Sequence, residues 1–413
     1  MYQYHTLKNG IRIVFRQNSS AVTHSGVYIN IGSRDETSPA SGADRHELEG
    51  IAHFIEHSLF KGTVHRRSYH ILNRIDGVGG ELNAFTTKEE TCVYASSLSV
   101  HLERCLELFA DILFRSTFPE RELEKEKDVV LEEINSYRDA PSELIFDDFE
   151  EYIFEGHALG HNILGSKKNV KRFTPQMLHD FVERNYTTDR MVISVVGNAD
   201  FRRVVRLCER YFGDFPQRSS AADRSVAPQY KRFDLTVNRH THQMHALVGC
   251  PAPNAYDGRK VAFSLLNNIM GGPAMNSRLN VAIREKFGFC YTIESQYTPF
   301  TDAGLFCIYA GIEPEAKEHF LELVHKEFRR LREEPMSTAR LHAARQQYMG
   351  QMAINNESSL NEMQSIGKCH LTYGRVDTLE EMQRDIEGVT ASALQDLANE
   401  LFAEERFSCL FYK

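Results

Sequence analysis

Alternating apolar and polar positions open the chain. TLKNGIRIVFRQ, residues 6–17, sets Asn9-Gly10 between two strand-like stretches and predicts a hairpin. HSGVYINIG, residues 24–32, continues the sheet. The period then lengthens. Residues 50–62 read as a helix, and YHILNRIDGVGG, residues 69–80, as a second one ending in glycines. ELNAFTTKEETCVYASSL, residues 81–98, alternates like two antiparallel strands. Helical patterns run from about 99 to 116 and from 119 to 138, with more helix to 184. The strand MVISVVGN, residues 191–198, precedes a helix over 200–215.

PQRSSAADRSVAPQ, residues 216–229, is polar and carries Pro, Ser and Ala, so it reads as a linker. Beyond it the order of elements starts again. QMHALVGCPA matches the early strand, RKVAFSLLNNIMGG the first helix, and CYTIESQYTPFTDAGLFCIYAGI the strand pair, and long helical regions close the chain. The expected division is therefore an N-terminal domain over 1–215, the linker 216–229, and a C-terminal repeat over 230–413. The expected fold class is α+β: two repeated α/β sandwich domains, each a mixed, mainly antiparallel sheet with helices packed on one face. The copies differ in one respect, because the second has FSLLN where the first has HFIEH.

Length supports two domains, since 413 residues exceed a comfortable single core. A composition of 42% hydrophobic and 25% charged residues is that of a globular soluble chain. A net charge of −9 without a basic run argues against a nucleic-acid partner. No apolar run approaches the roughly 18 residues that span a bilayer, and the first residues carry no apolar or arginine-rich leader. The eight cysteines form no CxxC pair and sit in apolar contexts, as buried free thiols do in a reducing compartment. A cytoplasmic location without membrane contact is the expectation.

The candidate chemistry lies in HFIEH. At about 100° per residue, His53, Glu56 and His57 share one arc of a helix, while Ile51, Phe54, Ile55 and Leu59 cluster opposite. Histidines at i and i+4 can bind one Zn²⁺ through ring nitrogens, and the glutamate lies near enough to take a proton from the attacking water. Two surface histidines on a polar helix face would leave the same pattern, so a third ligand decides. In ERELEKEKDVVLEEINSYRD the apolar face is Leu123, Val130, Ile134 and Tyr137. Glu126 and Glu133 lie among these residues, two turns apart, and Glu132 falls outside. A carboxylate on a core-facing stripe is costly unless paired or metal-bound. Glu133 is the expected third ligand, and Glu126 a carboxylate that supports the site.

HxxEH followed by Glu133 resembles the inverted zinc motif of the pitrilysin, insulin-degrading enzyme and mitochondrial processing peptidase family. LKNGIRIVF, GSRDE, GIAHFIEHSLFKGT, GGELNAFTTKEETCVYA, DVVLEEI and EGHALGHNILG resemble that family's first-domain landmarks in order. The length matches its two-domain branch. The resemblance implies one Zn²⁺ per chain on His53, His57 and Glu133, Glu56 as general base, and Glu126 as an auxiliary glutamate. It implies a strand at Asn83 and Ala84 that grips peptide backbone, which a purely structural strand would match equally well in pattern. SRLNVAIREKFGFCYTIES resembles the second-domain landmark in which an arginine and a tyrosine, here Arg284 and Tyr291, assist the substrate. The histidines of EGHALGHNILG, His157 and His161, read as loop residues outside that ligand set.

The implied activity is a zinc endopeptidase acting on peptides or unfolded segments. The alternative is a non-catalytic scaffold or substrate-binding subunit, and the complete HxxEH…E set argues against it. A short chain of this family supplies half of a closed chamber, so a homodimer is expected.

Overall fold

The computed structural model describes residues 1–36, 46–219, 224 and 226–413. Tyr2–Thr6 (β1) and Arg12–Gln17 (β2) pair antiparallel across the Asn9-Gly10 turn, where Gly10 takes φ +95°. Val22–Ile29 (β3), Glu81–Thr86 (β4), Thr91–Leu98 (β5) and Met191–Gly197 (β6) complete a six-stranded sheet in the order β1-β2-β6-β3-β5-β4. Only β2 and β6 run parallel. The early helices are Ile51–Ser58 (α1), Ser68–Asp76 (α2), Leu102–Phe114 (α3) and Glu120–Arg138 (α4), close to where periodicity predicts them.

The repeat is real at the level of elements. Asp234–Val237 (β7), Met244–Pro251 (β8), Cys290–Pro299 (β9), Gly304–Ile312 (β10) and Ser408–Tyr412 (β11) form a second sheet in the order β7-β11-β8-β10-β9. It is antiparallel apart from the β7/β11 pair. The helix Lys260–Gly271 stands where α1 stands in the first copy.

Each sheet carries its expected helical layer and, in addition, one helix on the second face. In the first sheet Val14, Tyr28, Cys92, Val192 and Val196 form a face covered by Met363, Ile366 and Leu371 of the helix Ser359–Tyr373. The Ser194 hydroxyl donates to the Met363 carbonyl at 2.7 Å beneath it. The alternate positions Phe15, Val27 and Val93 are buried on the other face, where Phe15 stacks on Phe201 of the helix Phe201–Phe212. In the second sheet Ala246, Val248, Phe306 and Ile308 pack with Phe320, Phe328 and Leu397. Leu247, Leu305, Cys307 and Tyr309 instead meet Leu144, Ile145, Phe149 and Ile153 of Pro141–Ile153 (α5).

These second-face helices alter the division of the chain. One compact unit comprises Met1–Asn135, His161–Arg224 and Asn355–Asp377, and the other Ser136–Gly160, Ser225–Ile354 and Thr378–Lys413. A single cut at 216–229 misplaces α5 and the helix Ser359–Tyr373, each of which joins the unit remote from its sequence neighbours. The four apolar side chains of α5 contribute roughly 6–12 kcal/mol by burial, enough to direct it to the second sheet. Within the expected linker, Arg224 donates to Asp35 Oδ2 and to the Glu89 carbonyl, both at 2.8 Å; residues 220–223 and 225 lie outside the described residues. The eight cysteines are free, seven of them buried. No described helix is long and apolar enough to cross a membrane.

Candidate metal centre

The helix α1 is held by its back and by its N-terminus. Ile51, Phe54, Ile55 and Leu59 are fully buried, as their shared arc requires. The residue before the helix is Gly50, at φ +92°, which a residue with a side chain rarely adopts. The first turn's free N–H groups are met from a distance. Glu36 accepts from the Gly50 and Ala52 amides, each at 2.8 Å, and so places a carboxylate at the positive end of the helix. Burial pushes the Glu36 carboxyl well up, while these two amides pull it back.

The front of α1 presents His53, Glu56 and His57, and α4 brings Glu133 to them. Glu133 Oε2 lies 3.7 Å from His53 Nε2 and 3.5 Å from His57 Nε2. The imidazole centroids are 4.6 Å apart. These separations are too long for hydrogen bonds, and the buried Glu133 Oε2 has no hydrogen-bond partner among the described residues. Ligands around one tetrahedral zinc, with bonds of about 2.0–2.2 Å, stand about 3.4 Å from one another. Three donor atoms that converge without bonding each other fit a metal of that kind. The set of two imidazoles and a carboxylate is that of an open zinc site with one position left for water or substrate.

Glu126 supports this arrangement. Its Oε1 is 2.8 Å from His57 Nδ1, and its Oε2 is 2.5 Å from Lys61 Nζ. A carboxylate only accepts, so Nδ1 carries the proton and Nε2 keeps its lone pair for the metal. Burial raises the Glu126 carboxyl, but the bonds from His57 and Lys61 outweigh it and hold the group below its ordinary value. His57 behaves in the opposite sense. Burial lowers it, and the Glu126 bond with the charges of Glu56 and Glu133 leaves it raised. His53 is pulled down to about 3 by burial and by His57, so it stays neutral, as a ligand must. Burial raises Glu133.

Glu56 is nearly buried and does not join the ligands. Its Oε2 accepts from the Thr86 hydroxyl at 2.7 Å. Burial raises this carboxyl, with Thr86 and His57 opposing, a direction that suits a general base. Thr86 ends β4, the edge strand that also carries Asn83 and Ala84. Asn83 Oδ1 accepts from the Ala84 amide at 2.8 Å.

The structure thus gathers His53, His57, Glu133, Glu126 and Glu56 in the first unit. Arg284 and Tyr291 belong to the second unit, where the guanidinium stands 5.6 Å from the phenol ring centroid and Tyr291 is 85% exposed. Sequence reasoning missed Thr86, Lys61 and Glu36. Strand alternation places Thr86 on the face of Ala84, yet nothing in the pattern says that this end of β4 meets α1. Lys61 follows α1 too closely to show on its wheel, and Glu36 acts across a loop, which leaves no periodic trace.

Two family models match the chain: "Insulinase (Peptidase family M16)" over residues 12–167 and "Peptidase M16 inactive domain" over 172–348. A protein of Bacillus subtilis named an uncharacterized zinc protease is 34% identical over 98% of this chain and 97% of its own length. One of Streptomyces coelicolor, named likewise, is 32% identical over 96% of this chain and 86% of its own. Among solved structures, a peptidase M16 inactive domain from Pseudomonas fluorescens superposes with TM-score 0.89 at 20% identity, covering 100% of this chain and 97% of the other. A protease from Helicobacter pylori gives 0.88 at 22%, covering 100% and 99%.

Proposed function

Because the chain belongs to the insulinase family, peptidase family M16, we propose that it is a zinc-dependent endopeptidase hydrolysing peptides or unfolded polypeptide segments. The observation that carries this reading is the convergence of His53 Nε2, His57 Nε2 and Glu133 Oε2, with the separate carboxylate of Glu56 beside them. The three converging residues would hold one zinc per chain. Zinc held there supplies Lewis-acid polarisation of water and of a peptide carbonyl. Glu56 takes the proton of the attacking water and returns it to the leaving amine. Its Oε2 is tied to Thr86, which leaves Oε1 to carry that proton. Glu126 keeps His57 in the ligating tautomer.

The substrate backbone docks along the edge strand β4 at Asn83 and Ala84, replacing the local Asn83–Ala84 bond with its own carbonyl. Arg284 and Tyr291 hold the substrate and the developing oxyanion, and they do so from a second copy of the chain in a homodimer. The large exposure of Tyr291 supports a role toward something outside its own unit. Zinc determination coupled to cleavage of a peptide library tests the reading. Wild type should carry zinc and cleave. His53→Ala and Glu133→Ala should lose both properties, and cleavage unaffected by either substitution would overturn the assignment.

A further inference from the structure

Outside the candidate active centre, His46, Glu49 and His161 also bring three donor atoms to within 4.8 Å of one another. We propose that His46, Glu49 and His161 form a second site for a first-row divalent cation, distinct from the His53/His57/Glu133 centre, that clamps the entry to α1.

The donors are well placed for this. His161 Nε2 lies 3.3 Å from Glu49 Oε1, His46 Nδ1 contacts the same oxygen, and the imidazole centroids are 5.4 Å apart. Two imidazoles and a carboxylate suit Zn²⁺, Co²⁺ or Ni²⁺, with water filling the open positions. His161 and Glu49 are mostly buried, each with 19% of its side chain exposed, while His46 is open at 61%. His46 Nδ1 is hydrogen-bonded to Glu49 Oε1, and an ion would take the place of that bond.

The backbone around these donors is fixed before any ion arrives. Asn169 Nδ2 donates to the His46 carbonyl at 2.6 Å and to the Glu49 carbonyl at 3.3 Å. Gly165, at φ +69°, packs so closely that an added Cβ would sit 2.3 Å from the Glu49 carbonyl oxygen and 2.6 Å from Gly50 Cα. The 46–50 turn and the loop after His161 are therefore locked face to face, and the donors come from both.

The charge balance favours a cation. Glu49 lies close enough to the fully buried Glu36 to disfavour its ionisation, and Lys88 is the facing cation. Lys88 Nζ donates to the His161 carbonyl at 2.5 Å, which leaves the imidazole nitrogens of the cluster out of that bond. Glu36 holds the first turn of α1 through the Gly50 and Ala52 amides, so an ion on Glu49 would brace the turn that leads into the helix.

The test uses the full chain with His53 and His57 both changed to Ala, so that the proposed catalytic zinc plays no part. Zn²⁺ titration by calorimetry, with bound metal counted by elemental analysis, should show one ion per chain. Adding His161→Ala or His46→Ala should weaken that binding at least about tenfold. The bound ion should also raise the melting temperature of the double variant, and raise that of its His161→Ala derivative by less at the same zinc concentration. His46→Ala alters an exposed side chain, which keeps the test decisive if His161→Ala fails to fold. No Zn²⁺ uptake by the double variant, or uptake indifferent to both further substitutions, would reduce the cluster to an ion-pair network and overturn the proposal. Either result leaves the His53/His57/Glu133 reading where it stands, since that centre has been removed beforehand.

Discussion

His57 shows how one side chain is prepared for its task by its neighbours. Left to burial alone it would be a neutral imidazole with no fixed tautomer. The 2.8 Å contact with Glu126 decides the tautomer, and Lys61 holds Glu126 in turn. Glu126→Gln should therefore keep the fold but lower zinc affinity by about 10–100-fold, checked by competition with a chromophoric chelator. Unchanged affinity would mean that the Glu126 contact does nothing for ligation. At this scale the sequence was highly legible, because ligands and apolar positions obey helical spacing. His53, Glu56 and His57 share an arc, and Glu126 and Glu133 share a stripe. The residues it hid, Thr86, Lys61 and Glu36, act across loops or between elements, where no period connects them to the histidines.

Between elements, the segment after α1 is secured by a buried acid. Asp111 of α3 accepts from Thr63 Oγ1 at 2.8 Å and Arg66 Nη1 at 2.7 Å, with His65 Nδ1 at 2.6 Å. Burial raises its carboxyl, but these three partners outweigh it and lower the group. A lowered folded value means that the stabilisation is complete above the unfolded pKa, near 4, and fades as acid carries the pH through the folded value. Asp111→Asn should cost about 3 kcal/mol at neutral pH, and the gap to wild type should narrow below about pH 4. Urea midpoints at both pH values check this, and a gap independent of pH would mean the charge is not the cause.

The edge strand β4 makes a second prediction at this scale. Peptides N-methylated at one amide near the scissile bond should be cleaved poorly, whereas side-chain swaps should matter less. Equal cleavage of methylated and unmethylated peptides in competition assays would remove backbone docking from the account. Strands and helices were readable from their periods. The sheet on which α5 and the helix Ser359–Tyr373 settle was not, because an amphipathic stripe declares that a face is buried and not what buries it.

For the whole molecule, the repeat was visible in element order, and the loss of ligands from the second copy in FSLLN. The exchange of helices between units was invisible to any linear cut. The proposed homodimer makes a prediction that one chain cannot imitate. Glu56→Gln and Tyr291→Phe chains, each inactive, should regain activity when mixed under conditions that permit subunit exchange. In a mixed dimer one site carries both lesions and the other neither, so recovery should approach half per mixed dimer. No recovery after demonstrated exchange would place Arg284 and Tyr291 at the site of their own chain.

The central claim is that Glu56 performs proton transfer beside a zinc it does not hold. The most direct measurement compares wild type and Glu56→Gln at equal zinc content, reading the initial rate of peptide hydrolysis. The variant should bind zinc as wild type does and turn over about 10²–10⁴-fold more slowly. A zinc-loaded Glu56→Gln chain cleaving at the wild-type rate would contradict it.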